Sequence, residues 1–133
     1  MQNKETILVV DDEMGPRESL RMILKSQYAV HTAASSEEAL RFIQDNHIDL
    51  VLLDLNMPGG SGFGVLRKIK DFRLDIQVIV ITGYGSLENA KEAIRLGAED
   101  FIQKPFDVPD VVAVVGRVLE KRRKNLETKP LTE

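Results

Sequence analysis

Cysteine is absent from the 133-residue chain. That excludes a disulfide framework and any thiolate metal site, structural Cys-type zinc included. Long apolar runs are also missing, and none approaches the ~20 residues of a membrane span. The opening "MQNKETI" is polar and has no hydrophobic region, which argues against a signal peptide. Charge of one sign is scarce. Eighteen basic residues face 21 acidic ones, for a net charge of −3. No global basic field favours nucleic-acid binding by the domain. Internal repeats and low-complexity tracts are lacking too. These absences leave a single cytoplasmic domain of ordinary size, long enough to bury a core without staples.

What the chain does have is alternation. Strands are expected at Thr6–Asp11, Ala29–Ala33, Leu50–Leu55, Gln77–Thr82 and Asp100–Gln103. "ILVV", "LVLL" and "VIVI" are apolar without a period of two, the pattern of strands covered on both faces. Helices are expected between and after them. Gly15–Ser26 carries Pro16 in its first turn. Ser35–Asn46 opens on "SSEE", a capping box with Ser35 as N-cap and Glu38 at N3. Ser61–Phe72 sets Phe63, Leu66 and Ile69 at helical spacing. Ser86–Leu96 stops at Gly97, a good residue beyond a C-cap. Val108–Asn125 closes the series with Pro109 in its first turn. Five strand–helix units imply a doubly wound, flavodoxin-like α/β fold with a parallel five-stranded sheet in the order 2-1-3-4-5.

In such a sheet, function gathers at the carboxyl ends of the strands, beside the point where strand order reverses. Those ends carry Asp11, Asp12 and Glu13, then Asp54-Leu55-Asn56, Thr82-Gly83 and Lys104-Pro105. Asp11, Asp12 and Asp54 would repel one another, and a hard divalent cation relieves the repulsion. An oxygen-rich rim without histidine suits Mg²⁺ or Mn²⁺ better than zinc. The two histidines, His31 and His47, fall elsewhere and read as surface residues. Lys104 and Thr82 offer a point charge and a hydroxyl to phosphoryl oxygens. Asp54, at the end of the central strand, is the best nucleophile, and a carboxylate there can become an aspartyl phosphate.

"ILVVDDE", "VLLDLNMPGGSG", "VIVITGYGS" and "AEDFIQKPF", in this order and each at a strand end, resemble the receiver domain of two-component response regulators. The resemblance covers about residues 4–122. It implies phosphoryl transfer from the phosphohistidine of a sensor histidine kinase to Asp54. It implies Mg²⁺ held by Asp12, Asp54 and the backbone carbonyl of Asn56, with Asp11 acting largely through a bound water. Thr82 and Lys104 would contact the phosphoryl group, and Phe101 stands at the switch-aromatic position. The Lys104–Pro105 bond resembles the family's cis peptide. Tyr84 is large enough to shade the site and slow hydrolysis. Gly64, inside the third helix, costs ~1 kcal/mol of helix stability relative to alanine, and "PGGSGFG" suggests a mobile start to that helix.

The expected function is therefore a switch rather than an enzyme, one that assists its own phosphorylation and dephosphorylation. Phosphorylation would change the surface of the fourth helix, fifth strand and fifth helix, through which a homodimer is plausible, and would control an output domain outside this sequence. The receiver is expected over residues 1–126, with 127–133 as linker or frayed tail. "EKRRKN" reads as a basic helix end favoured by the helix dipole, and as the start of that linker. "ITGYGS" and "GAEDFIQKPF" look most like receivers of sigma-54-type transcription activators. The alternative is an Mg²⁺-dependent phosphohydrolase with an aspartyl-phosphate intermediate. It wants an acid two residues after the nucleophile, where this chain has Asn56. A flavin binder would need a hydroxyl- and glycine-rich loop after the first strand, where this chain has three acids.

Overall fold

The computed structural model describes residues 4–57, 62–73, 75–83 and 86–128. Five strands alternate with five helices. They are β1 (Thr6–Val10), α1 (Met14–Leu24), β2 (Ala29–Ala33), α2 (Ser36–Asp45) and β3 (Leu50–Asp54), then α3 (Gly62–Phe72), β4 (Gln77–Thr82), α4 (Leu87–Arg95), β5 (Asp100–Gln103) and α5 (Val108–Thr128). All strand pairs are parallel, and the order is β2-β1-β3-β4-β5, as the alternating pattern predicts.

The unbroken apolar runs have the expected cause. Leu8, Val10, Val51, Leu53, Val78 and Val80 point into a core with α2, α3 and α4 residues such as Ile43, Leu66 and Ala93. Ile7, Val9, Leu50, Leu52, Ile79 and Ile81 point the other way, against Leu20 and Leu24 of α1 and Val111, Val115 and Leu119 of α5. Residues of both faces are fully buried. Each such side chain contributes about 1.5–3 kcal/mol of burial, so the central strands anchor whatever their ends carry.

Local rules set most helix ends. Ser35 Oγ accepts from the Glu38 N–H at 3.1 Å, while Glu38 Oε1 accepts from the N–H of Ala34, one residue before the cap. α4 closes in a Schellman pattern: the Gly97 N–H bonds to Ile94 O, and the Ala98 N–H to Ala93 O. Gly97 takes φ +116°, where a side chain would be strained. Asp107 Oδ1 accepts from the Asp110 N–H to open α5.

Several bounds differ from expectation. β1 stops at Val10 and β3 at Asp54, because Asp11 and Asp54 each turn a carboxylate oxygen back to the N–H two residues on. α1 starts at Met14 and ends at Leu24, whose carbonyl accepts from Gln27 and Tyr28. Asn46, Ser86 and Leu96 are caps rather than helical residues. α5 runs to Thr128 instead of Asn125, since nothing before Pro130 breaks it. The basic run is therefore not the helix end. Arg122 instead pairs with Asp49 and Arg123 with Glu5, so fixed partners replace the dipole account. The expected start of α3 at Ser61, with its mobility, and the shading role of Tyr84 lie outside the described residues. No helix among the described residues is long and apolar enough to cross a membrane.

Candidate functional site

The site follows from sheet register. β1 and β3 are neighbours from which the chain winds in opposite directions, and Val10 sits beside Leu53. One residue further, Asp11 and Asp54 face each other across the switch point. Asp54 in turn pairs with Ile81, one residue before Thr82, and Thr82 pairs with Gln103, one residue before Lys104. Backbone bonds carry the ladder just past the strands: Asp11 N–H to Ala33 O, Leu55 N–H to Ile81 O and Lys104 N–H to Thr82 O. Four strand ends thus deliver their polar residues to one rim. The Lys104–Pro105 bond is cis, as the resemblance implied.

Carboxylate oxygens of Asp11, Asp12 and Asp54 all lie within 4.8 Å of one another. Asp11 and Asp54 are buried, and Asp12 is exposed. Asp11 Oδ1 accepts from the Glu13 N–H at 2.9 Å, and Asp54 Oδ1 from the Asn56 N–H at 3.0 Å. Lys104 Nζ is shared. It lies 3.1 Å from Asp11 Oδ2, 3.5 Å from Asp54 Oδ2 and 3.6 Å from Glu13 Oε1. Glu13 thus joins the rim as a partner of the lysine. Arg17, one turn into α1, was not anticipated. Its Nη1 donates to the Asp11 carbonyl at 2.9 Å. The only sequence signal was an arginine four residues after Glu13, enough to turn back over the loop.

These surroundings tune the groups. Burial pushes the Asp54 carboxyl above the usual range, and the neighbouring Asp11 charge pushes the same way, against the Asn56 N–H and Lys104. Burial alone would lower the Lys104 ammonium. The carboxylates of Asp11, Asp54 and Glu13 outweigh it, so the group is held above its ordinary value. Lys104 therefore stays charged at neutral pH.

Two buried atoms of the site lack a well-aligned hydrogen-bond partner among the described residues. Asp11 Oδ2 makes no well-aligned hydrogen bond beyond its lysine contact, and Thr82 Oγ1 has no partner among the described residues. Buried polar atoms are normally paired, and no described residue completes the pairing of either. Three close carboxylates, two of them buried, fit a hard divalent cation and give nitrogen- or sulfur-seeking metals nothing. Asn56 is exposed beside them. Phe101 is half-buried and packs toward the core under α2, α3 and α4. It sits opposite Val80, two rungs before Thr82 on the same face. His31 and His47 are on the surface, His31 against Phe42 and His47 against Asp49.

Comparison with known proteins agrees with this geometry. FixJ, a transcriptional regulatory protein of Rhizobium meliloti (strain 1021), is 39% identical over 116 residues, which cover 86% of this chain and 57% of FixJ. The sporulation initiation phosphotransferase F of Bacillus subtilis (strain 168) is 37% identical over 116 residues, covering 86% of this chain and 94% of that protein. Among solved structures, NtrX from Brucella abortus superposes with a TM-score of 0.92 at 36% identity, covering 99% of this chain and 30% of NtrX. The chain thus spans little more than half of FixJ and under a third of NtrX, the part each shares with it. The family model of the response regulator receiver domain matches residues 7–116, from the first strand into the last helix, and so the chain belongs to the receiver domains of two-component response regulators, phosphoacceptor switches rather than conventional enzymes.

Proposed function

We propose that Asp54 accepts a phosphoryl group from the phosphohistidine of a sensor histidine kinase. The observation that carries this is a buried carboxylate at the switch point, with a lysine beside it and, on the neighbouring strand, a buried threonine hydroxyl without a hydrogen-bond partner among the described residues. A carboxylate oxygen of Asp54 attacks phosphorus. The new P–O bond forms as the P–N bond breaks, and the donor imidazole leaves with the electron pair. Lys104 is already charged and within reach, and takes one phosphoryl oxygen. Thr82 donates its hydroxyl to another. Such groups work by position and charge rather than by covalent chemistry of their own. Asp12, Asp54 and the carbonyl of Asn56 are the residues suited to hold Mg²⁺ or Mn²⁺, with Asp11 reaching the ion indirectly. When bound there, such an ion would neutralise charge among the three carboxylates and on the phosphoryl oxygens. The same set assists the later hydrolysis of the aspartyl phosphate.

The switch follows from the loose hydroxyl. Phosphorylation draws Thr82 in, the loop after β4 follows, and Phe101 turns inward from its half-buried place. The surface of α4, β5 and α5 then changes, and with it homodimerisation and the state of an output domain, all in the cytoplasm. Such a shift requires the phosphoryl group to interact better with one state than with the other. On this reading the receiver covers residues 1–126, with 127–133 as linker or tail.

Incubation with Mg²⁺ and a small phosphodonor, followed by peptide mapping, tests the acceptor. Label on Asp54, lost in Asp54→Asn, supports the reading, and label elsewhere or nowhere overturns it. Hydrodynamic size before and after reports the dimer.

A further inference from the structure

The acid loop after β1 is held from outside by Arg17. Asp11 is fixed on its other sides. Its N–H bonds to Ala33 O, its Oδ1 takes the Glu13 N–H, and its Oδ2 faces Lys104. Its carbonyl oxygen is the remaining polar atom, and the 2.9 Å bond from Arg17 Nη1 ends there. That carbonyl belongs to the peptide joining Asp11 to Asp12. A peptide unit is planar, so fixing its oxygen fixes the direction from which the Asp12 Cα departs. Asp12 needs such control. It is the exposed member of the carboxylate cluster, and no described residue hydrogen-bonds its side chain. Its aim must come through the backbone.

Arg17 is also placed for this. It is partly buried, in the first turns of α1, and makes no ion pair within 4.0 Å among the described residues, although Asp12, Glu13 and Glu18 are close in sequence. Its guanidinium bonds a carbonyl rather than a carboxylate, although its charge also acts on Glu18.

We propose that Arg17 is a positioning residue for the divalent-cation site, holding the Asp11–Asp12 peptide so that the Asp12 carboxylate stays aimed at the shared centre. This rests on the reading of Asp11, Asp12 and Asp54 as a cation site. Charge alone makes the opposite forecast, since removing a positive group beside a cation site should tighten binding.

The test is titration with Mn²⁺ alone, following the free ion by electron paramagnetic resonance, with thermal melts as a check on folding. Arg17→Ala is expected to weaken Mn²⁺ about 10-fold, the range seen when an outer-shell partner is lost. Arg17→Lys, which keeps one donor, should recover part of it. Phosphoryl uptake should need more Mn²⁺ for half-saturation yet approach the wild-type rate when saturated. Unchanged or tighter Mn²⁺ binding by Arg17→Ala overturns the inference, as does a lowered melting temperature at unchanged affinity, which would mark a mere strut. Should Arg17→Ala not fold, Arg17→Lys against Arg17→Gln carries the same comparison. Wild-type protein that takes up no Mn²⁺ overturns the cation site itself and the inference with it.

Discussion

Arg122 Nη1 lies 3.0 Å from Asp49 Oδ1, joining α5 to the entrance of β3 at the end of the sheet away from the acids, with both side chains almost buried. Asp49 Oδ2 also takes the Thr6 N–H at 2.8 Å, and Arg122 Nε donates to Asp75 O at 3.2 Å. The approaches to β1, β3 and β4 are thus tied to one helix. Asp49→Ala would strand both the guanidinium and the Thr6 N–H. Removing one member of a buried pair costs about 3–5 kcal/mol, so the urea midpoint should fall sharply. Arg122→Met keeps an apolar stem and should cost less. Combined with Asp49→Leu, it should restore part of the loss in a double-mutant cycle.

Asp54 should oppose the stability of the fold at neutral pH. Its pKa in the folded state is raised, chiefly by burial. A raised group stabilises fully below its unfolded pKa, and that contribution is lost as pH rises through the folded value. Asp54→Asn never ionises. Without divalent cations it should melt above wild type at neutral pH, with the gap closing as pH falls below the carboxylate range. Added Mg²⁺ should raise the melting temperature of wild type more than that of Asp54→Asn. A variant melting at or below wild type in chelator contradicts this.

Two glycines of α3 should respond in opposite directions to alanine. A Cβ on Gly62 would meet Leu55 Cα at 2.6 Å and Asp54 O at 2.7 Å, backbone atoms that cannot swing aside. Gly62→Ala should destabilise by about 1–3 kcal/mol, the usual cost of overpacking. It should also slow phosphoryl uptake, because the displaced atoms carry Asp54. Nothing lies within 4 Å of a Cβ on Gly64. Gly64→Ala should stabilise by up to ~1 kcal/mol from helix propensity. Chemical denaturation separates the two.

Gly62 also shows where sequence reading stops. "PGGSGFG" reads as a supple turn, and nothing in the string says which glycine presses on the strand carrying the acceptor. Period and punctuation did reveal the frame. The unbroken runs Ile7–Val10 and Leu50–Leu53 forecast burial on two faces, "SSEE" forecast the cap of α2, and the strand ends forecast the rim. What escaped depends on contacts between distant residues. Arg122 and Asp49 are 73 positions apart, and Arg123 and Glu5 are 118 apart, so a basic run with specific partners looked like solvated charge. Arg17 escaped for a subtler reason: its partner is a carbonyl oxygen, which every residue carries.

The hydroxyl of Thr82 should be a burden until a phosphoryl group arrives. Thr82 is fully buried, and its Oγ1 has no hydrogen-bond partner among the described residues. An unsatisfied buried polar group costs about 1–3 kcal/mol. Thr82→Val replaces that hydroxyl with a methyl group of similar size, so the resting protein should be as stable as wild type or more so, by up to ~1 kcal/mol. The same change removes the donor proposed to follow the phosphoryl group. Asp54 should still be labelled by a phosphodonor, but the labelled variant should show little change in hydrogen exchange around α4 and β5, where wild type changes. A clear loss of resting stability in Thr82→Val would mean that the hydroxyl is already satisfied. A full exchange response would mean that the switch does not run through it.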